Sequence, residues 1–576
     1  MPLFYLIVLS LLTLPVLANT SCGDPATAIA RVQGNTGTSP LAGQWLTIEG
    51  IVTLDSRGKD GFQGLYLQQA DDRADGNPDT SDALFVYTRS AVGSTGHRLR
   101  VSGQVQEYHG LTELTHTRDL IDCGAAALPA AEAVSLPWPD DRRPEQLEAM
   151  RVTLEQPLTI VDSYQLARFG VLALAGHDAF VPTQLQPPSP AVGASAPDTL
   201  LLDDGKRNLN PKPLPYPPGG LGGQLTVRAG DRLVGLDAIL DWRYGNWHLQ
   251  PRSQPTIEAH NPRRPVPPRP EAATVRVAAM NLENAFNGNG QGDGFPTARG
   301  ARSAAAYARQ KARLQATLSA LGADIIVLVE LENDGYDAAS SLAEITRSLG
   351  SSWRFVHPDG GDGHDAIRVG IIYNEAAIQP VGTPERITDG SFSRGSRPPL
   401  AQTFRTRSGS NPLRVVATHL KSKRCQGARG KNLDQGDGQG CFVAARVQAA
   451  HQLAEWLSGR PVTPGLAGTL IAGDFNSYAR EDPLSEFARA GFTDLVRHFH
   501  GLDNHSFRFR GQAGTLDYGL ASTGLLPRIQ DARIWAVNSD EPRALGYQSA
   551  RIPLSGSDQY PWRSSDHDPV IVDIAL

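Results

Sequence analysis

Ser565-Asp566-His567-Asp568-Pro569 leads into Val570-Ile571-Val572-Asp573-Ile574 near the end of the sequence. The second run reads as a buried strand and the first as its mouth. A carboxylate beside an imidazole raises its basicity and fixes its tautomer, and two acids close together invite a divalent cation. On its own Asp-His-Asp reads equally as a solvated turn. The decision rests on whether other strand mouths supply matching groups.

Several do. Thr515-Leu516 precedes Asp517-Tyr518, and Thr469-Leu470-Ile471-Ala472 ends in Gly473-Asp474-Phe475-Asn476. Leu413-Arg414-Val415-Val416-Ala417-Thr418 leads to His419-Leu420-Lys421-Ser422-Lys423. Asp324-Ile325-Ile326-Val327-Leu328-Val329 ends in Glu330, and Val275-Arg276-Val277-Ala278-Ala279-Met280 in Asn281-Leu282-Glu283-Asn284. Helical stretches over Ser303–Leu321 and Phe442–Leu457 alternate with these runs, which predicts an α/β domain. Polar groups at successive strand ends converge on one rim. Oxygen ligands for a hard cation together with two imidazoles suit phosphoester cleavage. No serine nucleophile elbow, P-loop or dinucleotide fingerprint competes.

These motifs, in this order, resemble the endonuclease/exonuclease/phosphatase superfamily, strongly from about Thr274 onward. With β modules in front, the whole chain looks like bacterial extracellular nucleases of the ExeM/NucH type. The resemblance implies a DNase I-like α/β four-layer sandwich and a metal-dependent nuclease acting on DNA or RNA. It makes His567 the base or electrostatic partner of the attacking water, oriented by Asp517. His419 becomes a general acid or a donor to a phosphate oxygen, and Asp474 and Asn476 position water and phosphate. Glu330 would hold Mg²⁺, with Asp566, Asn281 and Glu283 in or near its shell; Mn²⁺ and an accessory Ca²⁺ are the other ions this reading admits.

The 576 residues are too many for one core, and a net charge of −6 does not by itself advertise a polyanion partner. Met1–Ala18 reads as a secretory leader cleaved after Ala18, although it lacks Lys or Arg before its apolar run. No later run of about 18 apolar residues predicts membrane insertion. The four cysteines then favour two disulfides. Sequence proximity suggests Cys22–Cys123 and Cys425–Cys441, with three connectivities open.

Residues 19–124 read as short strands of an OB-like all-β module, and 145–257 as a second β module with a polar insertion around Pro182 to Gly223. Tyr66, Phe85 and Tyr87 are either core residues or stacking platforms for single-stranded nucleic acid. Asp71 to Asp79 reads as a Ca²⁺ loop or a solvated turn, and Trp242–Pro251 as a stacking surface or an edge hairpin. The proline-rich 258–272 predicts a stiff spacer ahead of a catalytic domain over 273–576. Lys421, Lys423 and Arg424 fall beside Cys425 in a basic loop expected to grip phosphates. Two other functions fit the same residues: a phosphodiesterase or phosphatase for phospholipids or small phosphoesters, and a polymer-binding protein. Oligomeric state is not legible.

Overall fold

The computed structural model describes residues 21–193, 198–222, 225–393, 397–409, 411–460, 463–549 and 560–576. The leader expected over 1–18 lies outside the described residues. Trp45–Ser56 (β1), Gly64–Gln68 (β2), Ala83–Tyr87 (β3), His97–Tyr108 (β4) and Leu111–Ala125 (β5) close a barrel in the order β1-β2-β3-β5-β4. Every pairing is antiparallel except β3–β5, where Phe85 lies opposite Glu113. Successive side chains on a strand face opposite ways. Leu65, Leu67, Leu84 and Val86 therefore fill the barrel with Ile29 and Val32 of the helix Ile29–Gln33.

The alternate residues Tyr66 and Phe85 point out of the barrel and pack against the second β module. Arg243 from that module lies over the rings of Phe62 and Phe85, 4.1 and 4.6 Å from their centroids. Of the three aromatics considered as stacking platforms, Tyr66 and Phe85 are thus buried in packing, and Tyr87 remains 37% exposed.

The second module is a nine-stranded sheet. Its hairpin Asp237–Arg243/Asn246–Pro251 lies inside the sheet, between Leu200–Leu202 and Arg151–Leu154. It is therefore not an edge hairpin. Trp242 and Trp247 face each other across it, and His248 is buried against Asp203, so the stacking reading fails for His248 as well. The acidic loop bonds to itself: Asp75 accepts from the Asn77 amide and the Thr80 hydroxyl, the pattern of a polar turn.

Beyond residue 273 two six-stranded sheets stack face to face. Val275, Val277 and Ala279 point to the inter-sheet core with Val327, Val415, Leu470 and Val572. Ala278 and Met280 point the other way, under Leu314 and Leu318 of the helix Ala304–Ala320. Val416 and Ile471 of the second sheet are likewise covered by Ala450 and Leu453 of the helix Val443–Ser458. Strands buried on both faces explain why these segments read as near-continuous apolar runs. The result is the α/β/β/α order of a four-layer sandwich.

The proline-rich segment does not span a gap, contrary to the spacer expectation. Arg263 makes a bidentate pair with Glu541, and the carbonyls of Arg264 and Pro267 accept from Trp535 and Arg276. The disulfides are Cys22–Cys123 and Cys425–Cys441. Among the described residues no helix is long and apolar enough to cross a membrane.

Candidate active site

His419, Asp474 and Asp517 lie side by side on three adjacent strands, His419 opposite Asp474 and Asp474 opposite Asp517. Gly473 permits the close approach: at its φ of +139°, a Cβ would stand 2.0 Å from the Thr418 carbonyl oxygen. Asn281 crosses from the other sheet and donates its side-chain amide to Asp474 at 3.2 Å. Asn476 donates its backbone and side-chain N–H groups to the same carboxylate.

His567 Nδ1 lies 2.8 Å from Asp517 Oδ2, which also accepts from the Ser506 hydroxyl at 2.7 Å. A carboxylate accepts only, so Nδ1 carries the hydrogen and Nε2 faces away from Asp517. Burial would lower the basicity of this imidazole, but Asp517, Asp566 and Asp474 overcome it and hold His567 well above its ordinary value. The Phe507 ring packs on the imidazole, with centroids 4.5 Å apart. Asp568, the second acid of the opening motif, turns away. It caps the backbone amides of Val537, Asn538 and Ser539 and is a structural group.

Arg397, which the sequence reading passed over, places Nη2 3.0 Å from His419 Nε2. Guanidinium only donates, so Nε2 must offer its lone pair and the hydrogen sits on Nδ1. Burial first, then the Arg397 charge, push His419 well below its ordinary value and keep it neutral. Its buried Nδ1 has no partner among the described residues. A neutral imidazole with a free N–H suits donation to a phosphate oxygen; general acid catalysis by an imidazolium does not fit. The only forewarning of Arg397 in the sequence was a charged residue before Pro398-Pro399 at the start of a strand.

Glu283 and Glu330 sit at bulges of neighbouring strands, with φ of +53° and +62°. Asn284 and Asn476 share this left-handed backbone. Each such residue costs about 1–2 kcal/mol, a strain that clusters at functional sites. The bulges crowd three acids. Burial and then Asp566 raise Glu330, and burial with Asp566 pushes Glu283 up to about 8. Burial likewise takes Asp474 to about 7, His567 notwithstanding. Glu283 Oε2 and Asp566 Oδ1 are buried without a hydrogen-bond partner among the described residues. Unpaired carboxylate oxygens in this number fit a hard cation. Ligand atoms of Asp474, Asp517 and His567 also lie within 4.8 Å of one another. That group is bonded internally, whereas Glu283 and Asp566 each bring an unpartnered oxygen to the same region.

The basic loop divides. Lys421 is half-buried beside the site, its basicity lowered by burial and by Arg397, and Arg424 is exposed. Lys423 corrects the expectation. Its ammonium is bonded to both oxygens of the fully buried Glu481, at 2.5 and 2.6 Å, and is not free for phosphate.

Residues 284–567 match the Endonuclease/Exonuclease/phosphatase family. No curated protein matches the chain. Among solved structures, the chain is similar to the human Nocturnin catalytic domain with bound sulfate, at 17% identity over 53% of this chain and 95% of that one, TM-score 0.33. It is also similar to D. rerio TDP2 complexed with single-strand DNA product, at 13% identity over 52% and 97%, TM-score 0.32. A Bacteroides thetaiotaomicron mannosyl-6-phosphatase is similar at 14% identity over 52% and 100%, TM-score 0.33.

Proposed function

Taking residues 284–567 as a domain of the endonuclease/exonuclease/phosphatase family, we propose that this protein is an exported, metal-dependent nuclease that hydrolyses phosphodiester bonds of DNA, and of RNA as a second substrate. The observation that carries this reading is the row His419–Asp474–Asp517, with His567 bonded to its end and unpartnered acids beside it. Export is supported by the two disulfides, which persist in oxidising surroundings.

Glu330, Asp566 and Glu283 would hold the divalent ion, with Asn281 at the edge of its shell. A divalent ion held there would supply Lewis-acid polarisation of a phosphoryl oxygen and would offset the carboxylate charge that keeps His567 protonated. The chain's own groups do the rest. His567 Nε2 takes the proton of the attacking water while Asp517 steadies the imidazole. The water oxygen bonds to phosphorus, the ester P–O bond on the opposite side breaks, and the departing alkoxide takes a proton from solvent. His419 Nδ1–H donates to a phosphoryl oxygen as charge builds, the kind of placed donor worth about 10²–10³ in rate, while Asn476 holds the Asp474 carboxylate in place. Lys421 and Arg424 meet neighbouring phosphates.

The test is hydrolysis of circular DNA, RNA, sphingomyelin and a phosphomonoester, each with Mg²⁺, Mn²⁺ or EDTA. Opening of the circle that needs the metal and fails in His567→Ala supports the reading. Turnover of sphingomyelin or the monoester with intact DNA would replace it with the other phosphoesterase function, and no turnover of any substrate would leave only polymer binding.

A further inference from the structure

Residues Asp178 to Gly193 leave the second β module and run across the catalytic domain. Ala179 and Phe180 pair in parallel with Gln512 and Ala513, and the Val181 amide donates to the Ala513 carbonyl. The hairpin they extend, Phe507–Phe509 with Gln512–Gly514, is the one that lays Phe507 on His567. Further along, the Ser189 amide donates to Asp437 in the disulfide-stapled loop. This path occupies part of what the sequence presents as a polar insertion.

At its centre Gln184 is 1% exposed and spends its amide entirely on the catalytic domain. Its Oε1 accepts from the backbone amides of Thr515 at 3.1 Å and Ala479 at 3.4 Å. Its Nε2 donates to the carbonyls of Leu502 at 2.9 Å and Asn504 at 3.3 Å. Those peptides belong to the three loops that carry the site: Ala479 follows Asn476, Thr515 precedes Asp517, and Asn504 precedes Ser506, whose hydroxyl holds Asp517. Its neighbour Thr183 donates to Glu481, the partner of Lys423, tying in the basic loop as well.

We propose that the second β module completes the active site through this strap, with Gln184 as the positioning residue that fixes the Asn476, Ser506 and Asp517 loops relative to one another. Five hydrogen bonds to one planar amide, the fifth from Nε2 to the Thr515 hydroxyl at 3.4 Å, define the separation of three loops far better than loop stiffness would, and displacement of a reacting group by about 1 Å can cost about 100-fold in rate. The inference rests on the phosphodiesterase reading for its kinetic readout only.

The experiment compares Gln184→Met, of similar length and without the amide, with Asn261→Ala. Asn261 bonds to Ala229 and Asp540 and so belongs to the same module junction without touching the site loops. Gln184→Met should lose at least tenfold in kcat with KM within twofold, whereas Asn261→Ala should lower the melting temperature and leave kcat within twofold. Equal kcat for folded Gln184→Met and wild type, or equal loss in both variants, would overturn the proposal. If Gln184→Met melts below the assay temperature, Gln184→Asn, whose amide sits one methylene short, is judged by the same criterion. Amide exchange at Ala479 and Thr515 gives a readout without catalysis: it should quicken in the Gln184 variants and not in Asn261→Ala, and unchanged exchange would overturn the strap. Inactive wild-type protein with quickened exchange would instead sink the nuclease reading and spare the strap.

Discussion

Arg397 holds His419 as a neutral donor: Nη2 stands 3.0 Å from Nε2, which leaves the imidazole hydrogen on Nδ1 with no partner among the described residues. Both groups are buried, so the tautomer is set by geometry, not by solvent. Arg397→Met removes the donor that fixes it and the positive charge that faces Glu330 and Asp474. We expect kcat on DNA to fall about 100-fold, the scale of losing one placed electrostatic donor. Activity within twofold of wild type would reduce Arg397 to a packing residue.

The Asp517–His567 pair makes a second prediction. Asp517→Asn keeps the shape but can present N–H to Nδ1, which favours the opposite tautomer and turns Nε2 into a donor. A base that has lost its lone pair cannot take the water proton, so kcat should drop by about 10³, within the range attributed to general base catalysis. Circular dichroism should stay near wild type with only a modest fall in melting temperature, because the Ser506 hydroxyl shares Oδ2 with His567 and loses that one acceptor when nitrogen takes its place. A milder effect than that of Ser506→Ala would contradict the orienting role.

Much of this site is legible in the sequence because each catalytic group sits where an apolar run stops or starts. A strand end is a local signal, and Glu330, His419, Asp474 and Asp517 all carry it. What escapes are groups placed by tertiary packing. Arg397 stands in a loop and Gln184 in the single helical turn Pro182–Leu185, neither with a periodicity to read, and only the stacking of distant segments gives them partners. Asp568 misleads in the opposite sense, since adjacency to His567 in sequence cannot reveal that its carboxylate caps three amides instead. Lys423 misleads because a basic loop reads as solvated until Glu481, far along the chain, is folded beneath it. The barrel strands are legible from their alternation, yet alternation cannot say that the outward face, with Tyr66 and Phe85, meets another sheet and not solvent.

Metal dependence should separate the three crowded acids. Removal of divalent ions with EDTA should abolish hydrolysis, and Mg²⁺ should restore it. Glu330→Gln should raise the Mg²⁺ concentration for half-maximal activity at least tenfold. Glu283→Gln should raise it less, because Glu283, pushed up to about 8 by burial and Asp566, holds a proton in the metal-free protein that it must release to bind the ion. In the metal-free protein Glu283→Gln relieves repulsion among buried carboxyls, so its melting temperature should not fall. EDTA-resistant cleavage would remove the cation from this account.

Lys423 is expected to act on stability and not on substrate. Removing one partner of a buried ion pair strands the other, at about 3–5 kcal/mol. Part of the Lys423 side chain is still solvated, so the lower end applies, about 3 kcal/mol for Lys423→Met. The slope of log activity against log salt should stay as in wild type, whereas Arg424→Glu should flatten it. A flattened slope for Lys423→Met at unchanged stability would return this lysine to the phosphate-binding surface.

The junction between the β module and the catalytic domain should yield to acid. Burial alone would raise the Asp540 carboxyl, but Arg508, His505 and Arg228 hold it well below its ordinary 3.8. Glu541 is similarly held below 4.5, against its burial, by Arg263 and Arg228. Carboxyls depressed in the folded state stabilise it above their unfolded values, and that contribution fades as pH falls through the folded ones. Other buried acids work the opposite way. Asp204 and Glu113, each pushed up to about 7 by burial, oppose folding most above that pH and less as they take up protons. The net wild-type curve therefore mixes both signs, and the junction is isolated by difference. Urea unfolding of wild type and Glu541→Gln should differ most near neutrality, where Glu541 is charged between two arginines. The gap should narrow below pH of about 4, as the wild-type carboxyl protonates and comes to resemble the amide. A gap that stays constant down to pH 3 would mean that Glu541 contributes through packing and not through its charge.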